Sequence, residues 1–317
     1  MKQKGIALLL VLSSIMLMSL MISTTYLYLS DMIYFSERNK IKQSEKLLLL
    51  SSEDVFFNNI IKEFLTAKGF DDIYSRLSTS PTAIRINNNN VYYSLIDRTS
   101  CFNISTLYSY FNNIDKNDRN YPWLVLKNIF ELNNITSPVI NKVMMMFTQY
   151  SSGKFDLDNI DQELLAIEQD FMMDKPIDKL LNISDKSLSR ITPLLCSRND
   201  NTLLVNINML DMNNSKLVQG IFMNEITESD IYKVISSKPD QGWMSVESFF
   251  ELLTNNSAID IDKINELRKV KMLKFSHDEY YFSSSFRIDS GSYQLMSLFH
   301  VKENKITVLQ RRFFYNE

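Results

Sequence analysis

The stretch GIALLLVLSSIMLMSLMISTTYLYLS, from Gly5 to Ser30, carries no charge. Coiled as a helix, Ile6 to Ser30 spans about 37 Å at 1.5 Å per residue, more than the ~30 Å hydrocarbon core of a bilayer. Lys2 and Lys4 precede it, Asp31 is the first charge beyond it, and Tyr26, Tyr28 and Tyr34 fall where an interfacial aromatic belt belongs. A secretory signal also begins with a short basic region, but its apolar part covers only about 7–15 residues and ends in small residues. Here the apolar run is longer and no A-x-A site follows it. The helical pattern also continues. From Asp31 to Lys68 there is neither Gly nor Pro, and Leu47, Leu48, Leu50, Val55, Phe56, Ile60 and Phe64 recur near helical spacing until Gly69 offers a stop. The expectation is a single helix of roughly 60 residues, apolar in its first half and amphipathic in its second, far above the mean of ~11–12.

The remainder of the 317 residues is globular in balance, with 45% hydrophobic and 22% charged residues. Lys+Arg 34 against Asp+Glu 37 gives a net charge of -3, which argues against a nucleic-acid binder. The six glycines are too scattered for a dinucleotide fingerprint, a P-loop or a nucleophile elbow. Two His and two Cys cannot build a Cys-rich zinc site, an iron–sulfur cluster or an H-E-x-x-H pair. His277 in a polar turn and His300 in a strand have no neighbouring Cys or second His in sequence. No nucleophile–base–orienter set can be assembled, and a non-enzymatic protein is expected.

Past Pro81, Thr82 to Asp97 reads as a hairpin: Ile84 and Ile86, then the turn-prone cluster Asn87-Asn88-Asn89-Asn90, then Val91-Tyr92-Tyr93. From Leu107 to Leu195 the pattern is helical, with Pro122 opening Trp123 to Leu132, Ser137-Pro138 starting another helix, and further helices over Asp158–Gln169 and Ser184–Leu195. Thr202 to Asn208 is a short strand. Helices return behind Thr227-Glu228-Ser229-Asp230, which resembles a capping box, behind Ser245 as far as Leu253, and over Asp260–Lys271. Trp123 and Trp243 are expected to anchor helix cores, and Met144-Met145-Met146 and Met172-Met173 to fill core space. Residues 281–288, 293–301 and 305–314 are strands, with Gly291 and Glu303-Asn304 in the turns. The fold class expected is α+β: a long N-terminal transmembrane and stem helix, and a small antiparallel sheet with a large inserted helical domain. The divisions are 1–5, 6–80, 81–107, 108–271 (with a short strand near 202–208) and 272–317.

Lys2-Gln3-Lys4-Gly5 followed by Ile6-Ala7-Leu8-Leu9-Leu10-Val11-Leu12 resembles the leader of type IV pilin-like precursors. Three later stretches resemble one branch of the pseudopilins, general secretion pathway protein K of type II secretion. They are Ile96-Asp97-Arg98-Thr99-Ser100-Cys101-Phe102-Asn103-Ile104-Ser105-Thr106-Leu107, then Pro193-Leu194-Leu195-Cys196 with Leu204-Val205-Asn206-Ile207-Asn208, then Gly242-Trp243-Met244-Ser245-Val246-Glu247-Ser248-Phe249. Tyr281-Phe282 and the final strands match the family's end region, so the resemblance covers nearly the whole chain in order.

That resemblance implies a leader, residues 1–5, cut by prepilin peptidase between Gly5 and Ile6, with N-methylation of Ile6. It implies a minor pseudopilin in the inner membrane, head in the periplasm, at the pseudopilus tip. It would assemble there with the I- and J-type minor pseudopilins and the type II secretion inner-membrane platform. Most pilins carry Glu at the position of Leu10, and the K branch characteristically lacks it. Many members also bind calcium through a D-W-I-D-x-D segment. Here Lys142-Val143-Met144-Met145-Met146-Phe147 stands in the comparable place without the carboxylates, so no cofactor is expected. Asp156, Asp158 and Asp161 are the remaining metal candidates, although acids at a helix start also serve the dipole. Cys101 and Cys196 recur in relatives at these places, which favours a disulfide over two buried thiols. Without the resemblance, a single-pass membrane-anchored periplasmic binding or sensory domain reads the same anchor and head.

Overall fold

A computed structural model describes residues 2–62, 82–86, 88–107, 121–141, 190–198, 200–289, 291–303 and 305–315. Helix α1 (Lys2–Val55) is unbroken over 54 residues. Several of its hydroxyls bond back to carbonyls one turn earlier: Ser14 Oγ donates to the Val11 carbonyl at 2.9 Å and Thr25 Oγ1 to Met21 at 2.8 Å. Between Val11 and Phe35 every side chain is exposed, Tyr34 at 67% and Ile22 at 70%. Water does not support so much bare apolar surface, and α1 is long and apolar enough to cross a membrane.

From Asn39 onward the same helix begins to be covered by a five-stranded antiparallel sheet. The sheet order is β1 (Thr82–Ile86), β2 (Asn89–Asp97), β7 (Tyr280–Ile288), β8 (Tyr293–Lys302) and β9 (Lys305–Tyr315). Two-residue periodicity turns Val91, Tyr93 and Leu95 of β2 to the stem, with Phe282 and Phe286 of β7 and Leu295 and Phe299 of β8. They meet Leu49, Phe56, Phe57 and Ile61. A π turn over Phe56–Ile61 ends the described stem. Its i→i+5 spacing lets Phe56 and Ile61, five residues apart, both be fully buried. Phe56 is the hub, with ring centroids 4.9 Å from Tyr93 and 5.4 Å from Phe286. Removing such a side chain costs about 3–5 kcal/mol.

In β9 the pairing with β8 shifts at Leu298/Phe299, leaving Leu309 as an extra residue. Such a bulge reverses the alternation beyond it. Ile306 and Val308 can therefore pack on the stem cluster before it, and Arg311 and Phe313 can reach the same helix after it.

The second core belongs to helices. These are α2 (Tyr121–Leu132), α3 (Ser215–Ile221), α4 (Glu228–Ser236), α5 (Val246–Asn256) and α6 (Ile261–Arg268). Gly220 lets α3 cross α2 closely, since a Cβ there would lie 2.9 Å from Ile129 Cγ1. Thr227, Ser245 and Asp260 cap α4, α5 and α6 by accepting from Asp230, Ser248 and Asp262 backbone N–H groups. Two short parallel pairs stitch the region: β3 (Phe102–Asn103) with β4 (Leu195–Cys196), and β5 (Leu203–Asn206) with β6 (Leu273–Ser276).

The helix expected to continue to Leu195 does not do so. Thr192–Leu194 is a single 3-10 turn and Leu195–Cys196 is strand, because Pro193 supplies no donor and restricts the residue before it. The strand expected over Thr202–Asn208 covers only Leu203–Asn206, and Ile207–Met209 closes into a 3-10 turn. The expected helix Asp158–Gln169 lies outside the described residues.

Candidate functional site

The hairpin leaves the sheet at Asp97, whose carboxylate folds back on the chain. Oδ1 accepts from the Thr99 N–H at 2.9 Å and Oδ2 from the Ser100 N–H at 2.7 Å, with both hydroxyls adding to them. Burial pushes the Asp97 carboxyl up despite these donors. The turn it shapes presents Cys101 to Cys196, and the two form a disulfide with Cα atoms 5.8 Å apart.

Asn103 next holds the β3–β4 pair to the following loop. Its Nδ2 donates to the Asp200 carbonyl at 2.7 Å and to Thr202 at 3.1 Å, and its Oδ1 accepts from the Arg198 N–H at 3.1 Å. Arg198 is buried at the centre. Its guanidinium donates to the Arg98 carbonyl at 2.9 Å, to Leu204 at 3.1 Å and to the Thr202 carbonyl, while Nε meets Asp200 at 2.9 Å. The same group lies 4.9 Å over the Tyr281 ring, which stacks on His300 at 4.4 Å. A buried Arg is tolerated because its donors find acceptors in the fork geometry that a lysine lacks.

Two further asparagines finish the connection. Asn206 donates to the Glu279 carbonyl at 2.8 Å and accepts from the Asn208 N–H at 2.8 Å. Asn208 accepts from the Trp243 N–H at 2.6 Å and donates to the Trp243 carbonyl at 3.1 Å and the His277 carbonyl at 2.9 Å. Gly242, at φ +75°, makes room: a Cβ there would stand 2.9 Å from Asn208 Oδ1.

Glu279 completes the cluster beside His300 (3.1 Å), Lys302 (3.7 Å) and Lys274. Burial raises its carboxyl, but these neighbours more than offset that and hold it below its ordinary value. Burial also pushes the Tyr280 and Tyr281 hydroxyls up to about 12. These side chains chiefly serve peptide groups or one another. What the arrangement does chemically is bind its own backbone, fixing the helical region on the end of the sheet.

The stem carries the other polar fixture. Glu53, 2% exposed, accepts from Arg311 Nε at 2.6 Å and from the Ser297 hydroxyl. Gly5, Ile6 and Leu10 lie in the opening turns of α1. Asp156, Asp158 and Asp161 lie outside the described residues. Sequence reasoning missed Arg198, Asn103 and Glu53. The N-x-S and N-x-N spacings were the available signal for the asparagines, since Asn so placed readily caps the backbone two residues on.

A helix long and apolar enough to cross a membrane, whose distal half lies on an antiparallel sheet, with helices filling the gap between the sheet's strands, defines a pilin-like fold. No family model matches the chain. Curated relatives do: type II secretion system protein K of Pectobacterium carotovorum is 26% identical over 125 residues, 39% of this chain and 36% of that protein. The Dickeya chrysanthemi protein of the same name is 27% identical over 124 residues, 39% of this chain and 33% of its own length. These two matches thus span about a third of the relatives they meet, whereas the Klebsiella pneumoniae protein aligns over 98% of this chain and 97% of its own length at 22% identity. A chain from the crystal structure of the GspK-GspI-GspJ complex of enterotoxigenic Escherichia coli shares the fold. The TM-score is 0.59 at 15% identity, covering 89% of this chain and 99% of that one. The chain is thus similar in sequence to type II secretion system protein K and shares the fold of a chain of that complex.

Proposed function

We propose that this protein is a minor pseudopilin of type II secretion, without enzymatic activity of its own, sited at the tip of the pseudopilus. Its anchor sits in the inner membrane and its head in the periplasm. Prepilin peptidase removes residues 1–5, and the new N-terminus at Ile6 is methylated. The protein then assembles with I- and J-type minor pseudopilins on the inner-membrane platform and initiates the filament that helps to export folded proteins. The observation that carries this reading is the division of α1, whose proximal half is bare and whose distal half is locked to the head. A helix so divided can leave a bilayer and pack laterally against partner helices while its own head stays fixed. Ile41 and Leu47, 61% and 64% exposed on the docked portion, remain available for such packing. Leu10 fits a tip position: a carboxylate near the bilayer centre costs about 3 kcal/mol on insertion scales, and a subunit with no partner amine ahead of it gains by lacking one.

N-terminal mass analysis of the mature chain tests the processing. A start at Ile6 carrying one methyl group is expected. An intact Met1, or a cut near Thr25, from cells with active peptidase refutes it. Cysteine crosslinking on isolated filaments should find the protein only at one end, joined to I and J. Crosslinks spread along the filament would refute the tip assignment.

A further inference from the structure

We propose that the end of the sheet nearest the anchor docks on anionic phospholipid headgroups, a contact that rests on the membrane anchoring proposed above. The direction of the stem identifies that end. Glu45 accepts from the Ser292 N–H at 3.0 Å, Lys46 lies 4.8 Å over the Tyr293 ring, and Lys42 lies 5.8 Å over Tyr315. Glu53, eight residues further along α1, meets Ser297 and Arg311. The turn between β7 and β8, the β1–β2 hairpin turn and the end of β9 therefore all face the apolar half of the helix.

This end is cationic. Arg38, Lys40, Lys42 and Lys46 rise from the stem, and Arg85 and Arg287 join them from β1 and β7. Register places both at the anchor end: Arg85 faces Asn90, and Arg287 faces Gln294. Arg38, Lys40, Arg85 and Arg287 are exposed. Among the described residues Asp31, Glu37, Glu45 and Asp289 are the acids there, and Glu45 already serves the Ser292 N–H. Among the described residues cations exceed acids by two at this end, in a chain whose net charge is -3.

The anchor's length brings the patch to the surface. Apolar exposure does not stop at Asp31, since Met32, Ile33, Tyr34 and Phe35 are 53–67% exposed. Ile6 to Phe35 thus forms about 45 Å of helix for a hydrocarbon core of ~30 Å. Tilt is the ordinary relief of such an excess. The head lies to one side of the helix, so a lean toward that side lowers its anchor-facing end onto the headgroups. There Arg and Lys meet lipid phosphates within a Debye length, about 8–10 Å in physiological salt. Tyr315, 51% exposed beside Lys42, suits the same boundary.

The test uses the full chain, whose two cysteines are paired, with one added cysteine carrying a fluorescent donor. Asn90→Cys labels the anchor-facing end and Thr307→Cys the far end. Each protein is reconstituted into vesicles of phosphatidylcholine alone or of an equimolar mixture with phosphatidylglycerol, and energy transfer to a headgroup acceptor is measured. The Asn90 label should come closer by roughly 10 Å, about one Debye length, in the anionic vesicles, with less change at Thr307. Molar salt, which shortens the Debye length to about 3 Å, should abolish the difference, as should Arg38→Gln, Lys40→Gln, Arg85→Gln and Arg287→Gln combined. Equal distances in both lipids for protein that has co-floated with the vesicles overturn the contact alone. Failure to co-float with either vesicle overturns the anchoring and the contact together.

Discussion

Gly242→Ala tests whether the junction is held by close approach or only by a permissive backbone. Gly242 sits at φ +75°, where an L side chain costs about 1–2 kcal/mol. The new Cβ would also stand 2.9 Å from Asn208 Oδ1, and the Asn208 side chain cannot retreat without releasing Trp243 and His277. A buried polar group left unsatisfied costs about 1–3 kcal/mol, so the sum is roughly 3–4 kcal/mol. At about 2–4 °C per kcal/mol for a head of this size, thermal unfolding followed by circular dichroism in detergent should fall by about 10 °C. Asn tolerates the left-handed region but carries the same Cβ, so Gly242→Asn should recover only the backbone share. In an Asn208→Ala background the obstructing amide is gone, and Gly242→Ala should then cost only about 1–2 kcal/mol. Strict additivity of the two substitutions, or full recovery by Gly242→Asn, refutes the close-approach argument.

Arg311→Ala should destabilise the head more than Glu53→Gln, by about 2 kcal/mol against about 1, because it leaves a buried carboxylate facing only Ser297; urea midpoints that rank the two the other way count against it. Replacing Cys101 and Cys196 together by Ser opens a loop with a sequence separation of 95 and should cost about 4–5 kcal/mol in the chain-entropy model, read as a lowered denaturant midpoint under oxidising conditions. Glu279 has a folded pKa below its ordinary value, so its contribution is fully present above about pH 4.5 and disappears as pH falls through the folded value. Glu279→Gln should flatten that acid limb of the stability profile, and an unchanged acid limb would remove Glu279 as its source.

Elements that announce themselves locally were legible in the sequence. The stem follows from the absence of Gly and Pro between Ile6 and Lys68, and the hairpin from an Asn cluster in which Asn88 adopts φ 67°. Thr227, Ser245 and Asp260 cap helices where their side chains predict. What escaped is non-local. A two-residue strand such as Phe102–Asn103 has no period to detect, and its partner Leu195–Cys196 stands more than ninety residues away. Glu53 and Arg198 look like solvated charges on any linear reading, and only the assembled sheet and loops bury them. The extra residue in β9 is likewise invisible, since the pattern of Lys305–Tyr315 alternates convincingly on both sides of it.

The order of strands carries a consequence for how the protein is made. β2 lies beside β7, so Asp97 faces Phe282 across a gap that the whole helical region must fill first. Contacts of such long sequence separation form slowly. A chain held by its N-terminus during export presents the docking face of the stem early, yet the strands from Tyr280 onward that cover it emerge last. Throughout that interval Leu49, Phe56, Phe57 and Ile61 have only the β1–β2 hairpin to cover them, on a helix that the proposed anchoring already tethers at the membrane. Any truncation before Tyr280 would leave them so permanently, exposing an adhesive apolar face next to the bilayer rather than a partly working head.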